Sequence, residues 1–329
     1  MTWEGYAPDD LVNEFTKQTG IKVEVTYVSA SEEIIGKLRA TGASGYDIVH
    51  PPSHAIKGGV ELNLYQPIDV SKLKIMSNYM GPILETTTAG TTFDGKLYAL
   101  PFVYGSNGII VNTDKIKKTS YSTIKDLFGE EACGRVETQF RYHIFHLVGY
   151  GLGYDVFKNY NDESKYRDMM EKVLAFLVSK KKCIKTFWTT RQENIDLLER
   201  GECWIAEGWD ATGWFITSRH PNIKYVIPEE GATGWVDVHA IPAKAKNLEA
   251  AYKFINFVMM PEQAAKIAKA TGYTMPVKGV TNYLSAAQKK IMDETFVPGA
   301  LERIHFYPPT PSYVREIFTE MEQRFKQSK

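Results

Sequence analysis

The 329-residue sequence has no charge bias: 39 basic and 39 acidic residues cancel to a formal net charge of zero. A balanced chain gives no electrostatic reason to expect a phosphate backbone, so no nucleic-acid partner is expected. Cysteine is scarce. Cys133, Cys183 and Cys203 are the only three, and none lies in a C-x-x-C pair or a metal-type cluster. One disulfide can form among them, the spacing does not choose the pair, and an odd count leaves at least one thiol over. No apolar run is long enough to span a bilayer, and the stretch 254–260 reads as a short helix face. The opening Met1-Thr2-Trp3 has neither the basic nor the apolar part of an export signal, which fits a cytosolic protein or an exported one whose signal was removed. Catalytic signatures are missing too: there is no Walker loop and no GxGxxG, HExxH, GxSxG or DFG pattern. The seven histidines are scattered. His50 and His54 are separated by Pro51-Pro52, and His143 and His146 read as an ordinary helix face. The chain is therefore expected not to be an enzyme and to carry no metal or cofactor.

What is present is enough for two domains, since 43% of the chain is apolar and its length exceeds that of one ordinary core. Aromatics reach 12%, with 19 Tyr and 6 Trp, a composition suited to recognising small organic molecules by stacking. Residues 8–19 predict a helix, with Pro8 in its first turn, Asp9 and Asp10 at its positive end, and Gly20 as its stop. Alternation predicts a strand over 21–28. Ser29 and Glu32 have the spacing of a capping box ahead of a helix carrying Ile34, Ile35 and Leu38. A short buried strand is predicted over 46–49, and extended segments over 98–104 and 108–112. Helices are expected over 142–152, 166–178, 193–200, 248–259 and from Pro261 to Gly272, with strands over 201–206, 223–227 and 236–241. Strand–helix–strand alternation gives an α/β class with largely parallel pairing. There is no internal repeat, low-complexity tract or long linker.

The tripeptide Trp235-Val236-Asp237, followed by Ala240-Ile241-Pro242, is the most telling motif. On a strand an indole and a carboxylate two residues apart share a face, where they can stack on an organic cation and neutralise it. The chain is expected to cross between lobes near 104–108 and again near 236–241. Repeated crossings make a hinge, and the groove between lobes becomes the ligand site.

These landmarks resemble the solute-binding proteins of polyamine-type ABC importers, the spermidine/putrescine-binding group, over nearly the whole length. The resemblance rests on Trp3-Glu4-Gly5-Tyr6, on Thr16 to Gly20 leading into Ile21-Lys22-Val23, and on Ser44-Gly45-Tyr46-Asp47-Ile48-Val49. It continues through Tyr98-Ala99-Leu100-Pro101-Phe102-Val103-Tyr104-Gly105, Trp209, Trp235-Val236-Asp237, Ala240-Ile241-Pro242 and the helix that ends at Pro261. It closes on Thr271-Gly272-Tyr273-Thr274-Met275-Pro276. It implies a two-lobed periplasmic-binding-protein type II fold, each lobe a mixed sheet flanked by helices. Lobe I would comprise 1–107 and 237–278, lobe II 108–236 and 279–329, with the ligand cleft between them. It further implies a monomer that docks to an ABC permease and its ATPase. The location would be the periplasm or the outer face of the cytoplasmic membrane, as a possible lipoprotein, with the export signal absent from this sequence. The family's aromatic box maps onto Trp3, Tyr6, Tyr104, Trp209, Trp235 and Tyr273, and its carboxylate onto Asp237.

The match departs from the family in one place. Where polyamine binders carry a pair of acidic residues at the start of a second-lobe helix, this sequence has Phe140 and His143, with Arg141 and Tyr142 between, and His54 replaces a first-lobe aromatic. Arg141, His143 and His54 would repel a polyamine and suit a carboxylate or phosphate at a helix N-terminus. Asp210, next to Trp209 at the end of a strand, is a further candidate, as loop aromatics beside a carboxylate are often functional. Glu4 and Glu207 read as solvent-facing. A polyamine-like cation is the default ligand. A phosphorylated aromatic of the pyridoxal phosphate type is the rival, and a sensory role in place of transport stays open.

Overall fold

The computed structural model of the chain describes residues 1–116 and 123–328. It divides into two compact units, Met1–Tyr104 with Trp235–Ser285, and Gly105–Gly234 with Ala286–Lys329. Two strands, Ala99–Asn112 and Ala232–Pro242, carry the chain from one unit into the other. The first of these joins the predicted segments 98–104 and 108–112 into one strand of 14 residues, all buried. Such a strand has no solvent face, so its sequence runs apolar instead of alternating.

The first unit is built on helices with one apolar stripe. The helix Asp9–Thr19 begins after Pro8, carries Asp9 and Asp10 in its first turn and ends at Gly20, whose φ of 72° closes it in the left-handed region. Its Phe15 meets Phe254 and Phe257 at ring-centroid distances of 5.1 and 5.3 Å, so it docks on the helix Leu248–Val258. The following helix, Pro261–Thr271, buries Ala264, Ala265, Ile267 and Ala268 in the same core. Pairing in this unit is short. Thr2–Trp3 runs parallel to Tyr27–Val28, and Tyr65–Gln66 runs antiparallel to the Ile241–Pro242 end of the long strand.

The second unit carries more sheet. Ile223–Val226 pairs antiparallel with the 109–112 end of the long strand. That strand also pairs antiparallel with Ile205–Trp209, which lies parallel to Val136–Gln139, which in turn lies parallel to Ile184–Trp188. The helix Glu163–Lys180 buries Tyr166, Met169, Met170, Val173, Leu174 and Leu177, a spacing of three and four that places one face inward. The C-terminal helix Ser312–Gln327 buries Val314, Ile317, Met321 and Phe325 in the same cluster. Ion pairs of Arg167 with Glu320 and of Arg324 with Glu171 lie between these two helices at the surface. The disulfide is Cys133–Cys183, and Cys203 is a buried free thiol.

Four local expectations change. Over 21–28 only Tyr27–Val28 forms a strand, and over 46–49 only Val49 makes a bridge, to Ala240. A strand needs a paired neighbour, and residues 22–25 make no backbone hydrogen bond among the described residues. The helix after Ser29 starts at Ser31 with Ala30 as its cap, and Glu33, not Glu32, reaches back to the Ser29 N–H at 3.1 Å. Residues 201–204 turn before the strand Ile205–Trp209 begins, because Gly201 takes a φ of 67° that a strand does not accommodate.

The disulfide closes a loop spanning 50 residues. Replacing both cysteines with serine is expected to destabilise the second unit by about 2–4 kcal/mol. Thermal unfolding with and without reductant measures this, and an unchanged midpoint would show that the bond adds nothing.

Candidate functional site

In the first unit the candidate residues gather around Asp237. Gly5 turns the chain with a φ of 82°, closing a bond from the Tyr6 N–H to the Trp3 carbonyl at 3.2 Å. This brings the Tyr6 hydroxyl to Asp237 Oδ2, to which it donates at 2.6 Å. Both are buried, at 3% and 6% exposure. Burial pushes the Asp237 carboxyl up to about 7, against the opposing pull of the Tyr6 hydrogen bond. Its one hydroxyl donor compensates only part of the hydration the carboxylate loses on burial. The half-buried Trp235 meets Tyr273 edge to face at 4.7 Å and 88°. Tyr273 follows Gly272, which ends the helix Pro261–Thr271 in the left-handed region.

The indole of Trp3 donates through Nε1 to the His50 carbonyl at 2.9 Å. His54 lies in the turn Ser53–Ala55, directly after Pro52, which bridges to Asp237. Tyr104 is a core residue at 2% exposure, its N–H donating to the Thr274 carbonyl at 3.0 Å.

Sequence reasoning missed the pair beneath this group. His50 and His239 are buried and 2.9 Å apart through Nε2 and Nδ1, and His50 Nδ1 lies 2.7 Å from Thr2 Oγ1. Both rings pack on Phe102, at 4.3 and 4.1 Å, which itself meets Tyr6 at 5.6 Å. Burial lowers both imidazoles, His239 to about 3, so they are neutral spacers holding the Trp3 and Tyr6 segment against the Asp237 strand. The available signal was that His239 follows Asp237 by two residues and shares its face.

The second unit holds the remaining candidates in two groups. Trp209 ends the strand Ile205–Trp209 and Asp210 starts the helix Asp210–Arg219. Trp209 meets Trp188 edge to face at 4.9 Å. Asp210 accepts from the Ser106 N–H at 3.1 Å and from the Ala211 N–H at 2.8 Å. Burial nevertheless raises it to about 7. The Ser106 hydroxyl is held in turn by Tyr225, at 2.8 Å. Tyr225 fits because two glycines leave it room: a Cβ on Gly213 would lie 2.3 Å from the Tyr225 Cβ, and one on Gly108 2.7 Å from its hydroxyl oxygen.

Arg141 is exposed and stands at the N-terminal boundary of the helix Tyr142–Gly151, which has no acidic residue in its first turn. His143, one residue into that helix, is 8% exposed. Its Nδ1 lies 3.0 Å from the Tyr307 hydroxyl, which also reaches His146 Nδ1 at 3.3 Å. The imidazole is thus tied into an interior network. Glu207 corrects the solvent-facing expectation: it is fully buried. Its carboxylate accepts from the Gln139 N–H at 2.8 Å, Asn107 Nδ2 at 2.9 Å and Thr138 Oγ1 at 3.1 Å. It therefore fixes the strand end that leads into Arg141. The neighbouring Glu137 is also fully buried, and burial pushes it up to about 9, against the opposing effect of the Asn194 amide. Among the described residues no group of His, Cys, Asp and Glu is arranged to hold a metal ion.

Residues 10–293 match the family of bacterial extracellular solute-binding proteins. The spermidine/putrescine-binding periplasmic protein 1 of Haemophilus influenzae is 30% identical over 83% of this chain and 73% of its own length. The putrescine-binding periplasmic protein PotF of Escherichia coli is 30% identical over 86% and 79%. Among solved structures, the spermidine/putrescine ABC transporter substrate-binding protein PotD from Streptococcus pneumoniae superposes with a TM-score of 0.86 at 23% identity, covering 99% of this chain and 97% of that one. A putative spermidine/putrescine ABC transporter from Listeria monocytogenes gives 0.79 at 26% identity, covering 100% and 98%. The two-unit α/β fold is therefore that of the ABC-importer binding proteins, and its role is capture and not catalysis. The chain belongs to the bacterial extracellular solute-binding protein family, whose members deliver small molecules to ABC importers.

Proposed function

We propose that the captured solute is a polyamine-like cation of the putrescine or spermidine type, held by Asp237 among Trp3, Tyr6, Trp235 and Tyr273. The observation that carries this reading is the Asp237 carboxyl, buried beside a single phenol. A carboxyl kept near neutrality by burial gains strongly when an ammonium replaces water next to it. The indole and phenol rings nearby add cation–π attraction, worth about 0.5–2 kcal/mol each. The names of the relatives support the same ligand class. Trp209 and Asp210 offer a second indole and carboxyl, within the second unit, to an ammonium. The protein works as a monomer in the periplasm, or on the outer membrane face as a lipoprotein, and passes its cargo to a permease and its ATPase. A disulfide within the second unit supports an oxidising compartment.

A second reading rests on Arg141. Its exposed guanidinium stands at the start of a helix with no acid in the first turn, where amides and dipole favour an anion. A phosphorylated aromatic compound would use that position.

Asp237→Asn is expected to weaken putrescine or spermidine binding by about 2–5 kcal/mol and Trp235→Ala by about 1–2 kcal/mol, with melting points within a few degrees of the parent. Isothermal titration measures this, and parent affinity in both variants would refute the site. Arg141→Ala separates the two ligand classes. It should leave polyamine affinity equal or improved, whereas a phosphorylated aromatic that binds the parent and is lost by this variant would favour the anion reading. Affinity should also depend on pH. Below about 7 the Asp237 carboxyl is protonated, and a cation must expel that proton to bind. Polyamine affinity should therefore fall up to about tenfold per pH unit from pH 7 towards 5. Asp210, raised to the same range, adds to the slope. A flat profile would show that neither carboxyl meets the cation.

A further inference from the structure

In the second unit a chain of hydroxyls leads away from Asp210. Ser106 Oγ lies 3.4 Å from Asp210 Oδ2 and 2.8 Å from the Tyr225 hydroxyl. All three residues are buried, with exposures of 0%, 6% and 5% for Ser106, Asp210 and Tyr225. Among the described residues the Tyr225 hydroxyl meets no acceptor but Ser106 Oγ. The backbone at Gly108 closes over it, where even a Cβ would come within 2.7 Å of its oxygen.

Such a chain has a direction, because each hydroxyl has one proton to give. When Tyr225 donates to Ser106, the Ser106 proton is free to point at Asp210, and a bond to a carboxylate is the stronger, charge-assisted kind. When Asp210 carries a proton and gives it to Ser106, Ser106 must give its own to Tyr225. The phenol proton is then buried without an acceptor, and that group forfeits its hydration with nothing in return. The phenol cannot escape by losing its proton, since burial and the charges of Asp210 and Glu207 push it well above its ordinary range. Tyr225 therefore points the chain at Asp210 and favours the charged carboxyl. The Ala211 N–H at 2.8 Å, the Ser106 N–H at 3.1 Å and the Arg191 charge also favour it, but none of these depends on Tyr225.

We propose that Tyr225 is a positioning residue for cation capture: acting through Ser106, it keeps Asp210 a carboxylate and so sets the pH range in which the second unit accepts an ammonium. The ammonium half rests on the reading of Asp210 as a solute contact, and the carboxyl half stands without it. Phenylalanine fits the space that Gly108 and Gly213 leave for the Tyr225 ring, so the hydroxyl can be removed alone.

The test uses Tyr225→Phe, which keeps the ring, and Ser106→Ala, which keeps the backbone N–H bond and breaks the chain. Carbon-13 NMR follows the Asp210 carboxyl against pH in the solute-free protein, with Asp210→Asn to assign the signal. Each variant should raise the titration midpoint by about one pH unit, and the double variant should raise it no further than the larger single shift. An unchanged or lower midpoint in Tyr225→Phe would overturn the proposal, and so would additive shifts, which mean independent roles. Isothermal titration with putrescine is the second readout. Tyr225→Phe should bind several-fold more weakly than the parent at pH 7 and within about twofold of it at pH 8.5. An equal loss at both pH values means that Tyr225 only packs, and overturns the ammonium half. A raised midpoint with parent affinity at both pH values overturns that half too, and parent affinity in Asp210→Asn would trace the failure to the reading of the solute site.

Discussion

Burial of carboxyl groups is the constraint around which the Asp237 and Asp210 clusters are built. Asp237, Asp210 and Glu207 are each almost wholly removed from water, and each is raised to about 7 because hydroxyl and amide donors compensate only part of the lost hydration. An ordinary core would replace such groups with apolar ones at no loss of stability. Retaining them leaves acids that gain more than any surface acid when a positive charge arrives. The arrangement is less stable than it could be.

Neutral parts hold these acids in place. His50 and His239 are kept uncharged by burial and pack on Phe102, joining the Trp3–Tyr6 turn to the strand that carries Asp237 without adding a competing cation. In the second unit, Tyr225 occupies space left by Gly108 and Gly213 and steadies Ser106, the donor to Asp210. Glu207 ties three donors from two strands and so sets where the helix that starts beside Arg141 begins. Asp237 and Glu207 are positioned by hydroxyl, amide and backbone donors; Asp210 also feels the Arg191 charge.

Much of the architecture was legible because it follows from local rules. The helices Asp9–Thr19 and Pro261–Thr271 were bounded by Pro8, Gly20, Pro261 and Gly272, residues whose backbone preferences act whatever surrounds them. The stripe Ala251, Phe254, Ile255, Val258 was readable for the same reason. Strands were read less well. Residues 21–26 alternate correctly and still form no ladder, since pairing depends on a neighbour that periodicity cannot supply. Glu207 was misjudged because an acid on a strand looks solvent-facing until its three donors, drawn from positions 107, 138 and 139, are known.

The sequence alone determined the α/β class, the family and the presence of an indole and a carboxylate two residues apart on one strand, because these depend on residue order and short-range geometry. It left open which cysteines join, which acids are buried and what lies beneath the aromatic residues. Only the tertiary structure decided that Cys133 meets Cys183, that Tyr6 reaches Asp237 across 231 positions, and that His50 and His239 share a hydrogen bond. Those facts depend on contacts between distant segments, and desolvation, which sets the charge state of every buried group, exists only after the chain has closed around it.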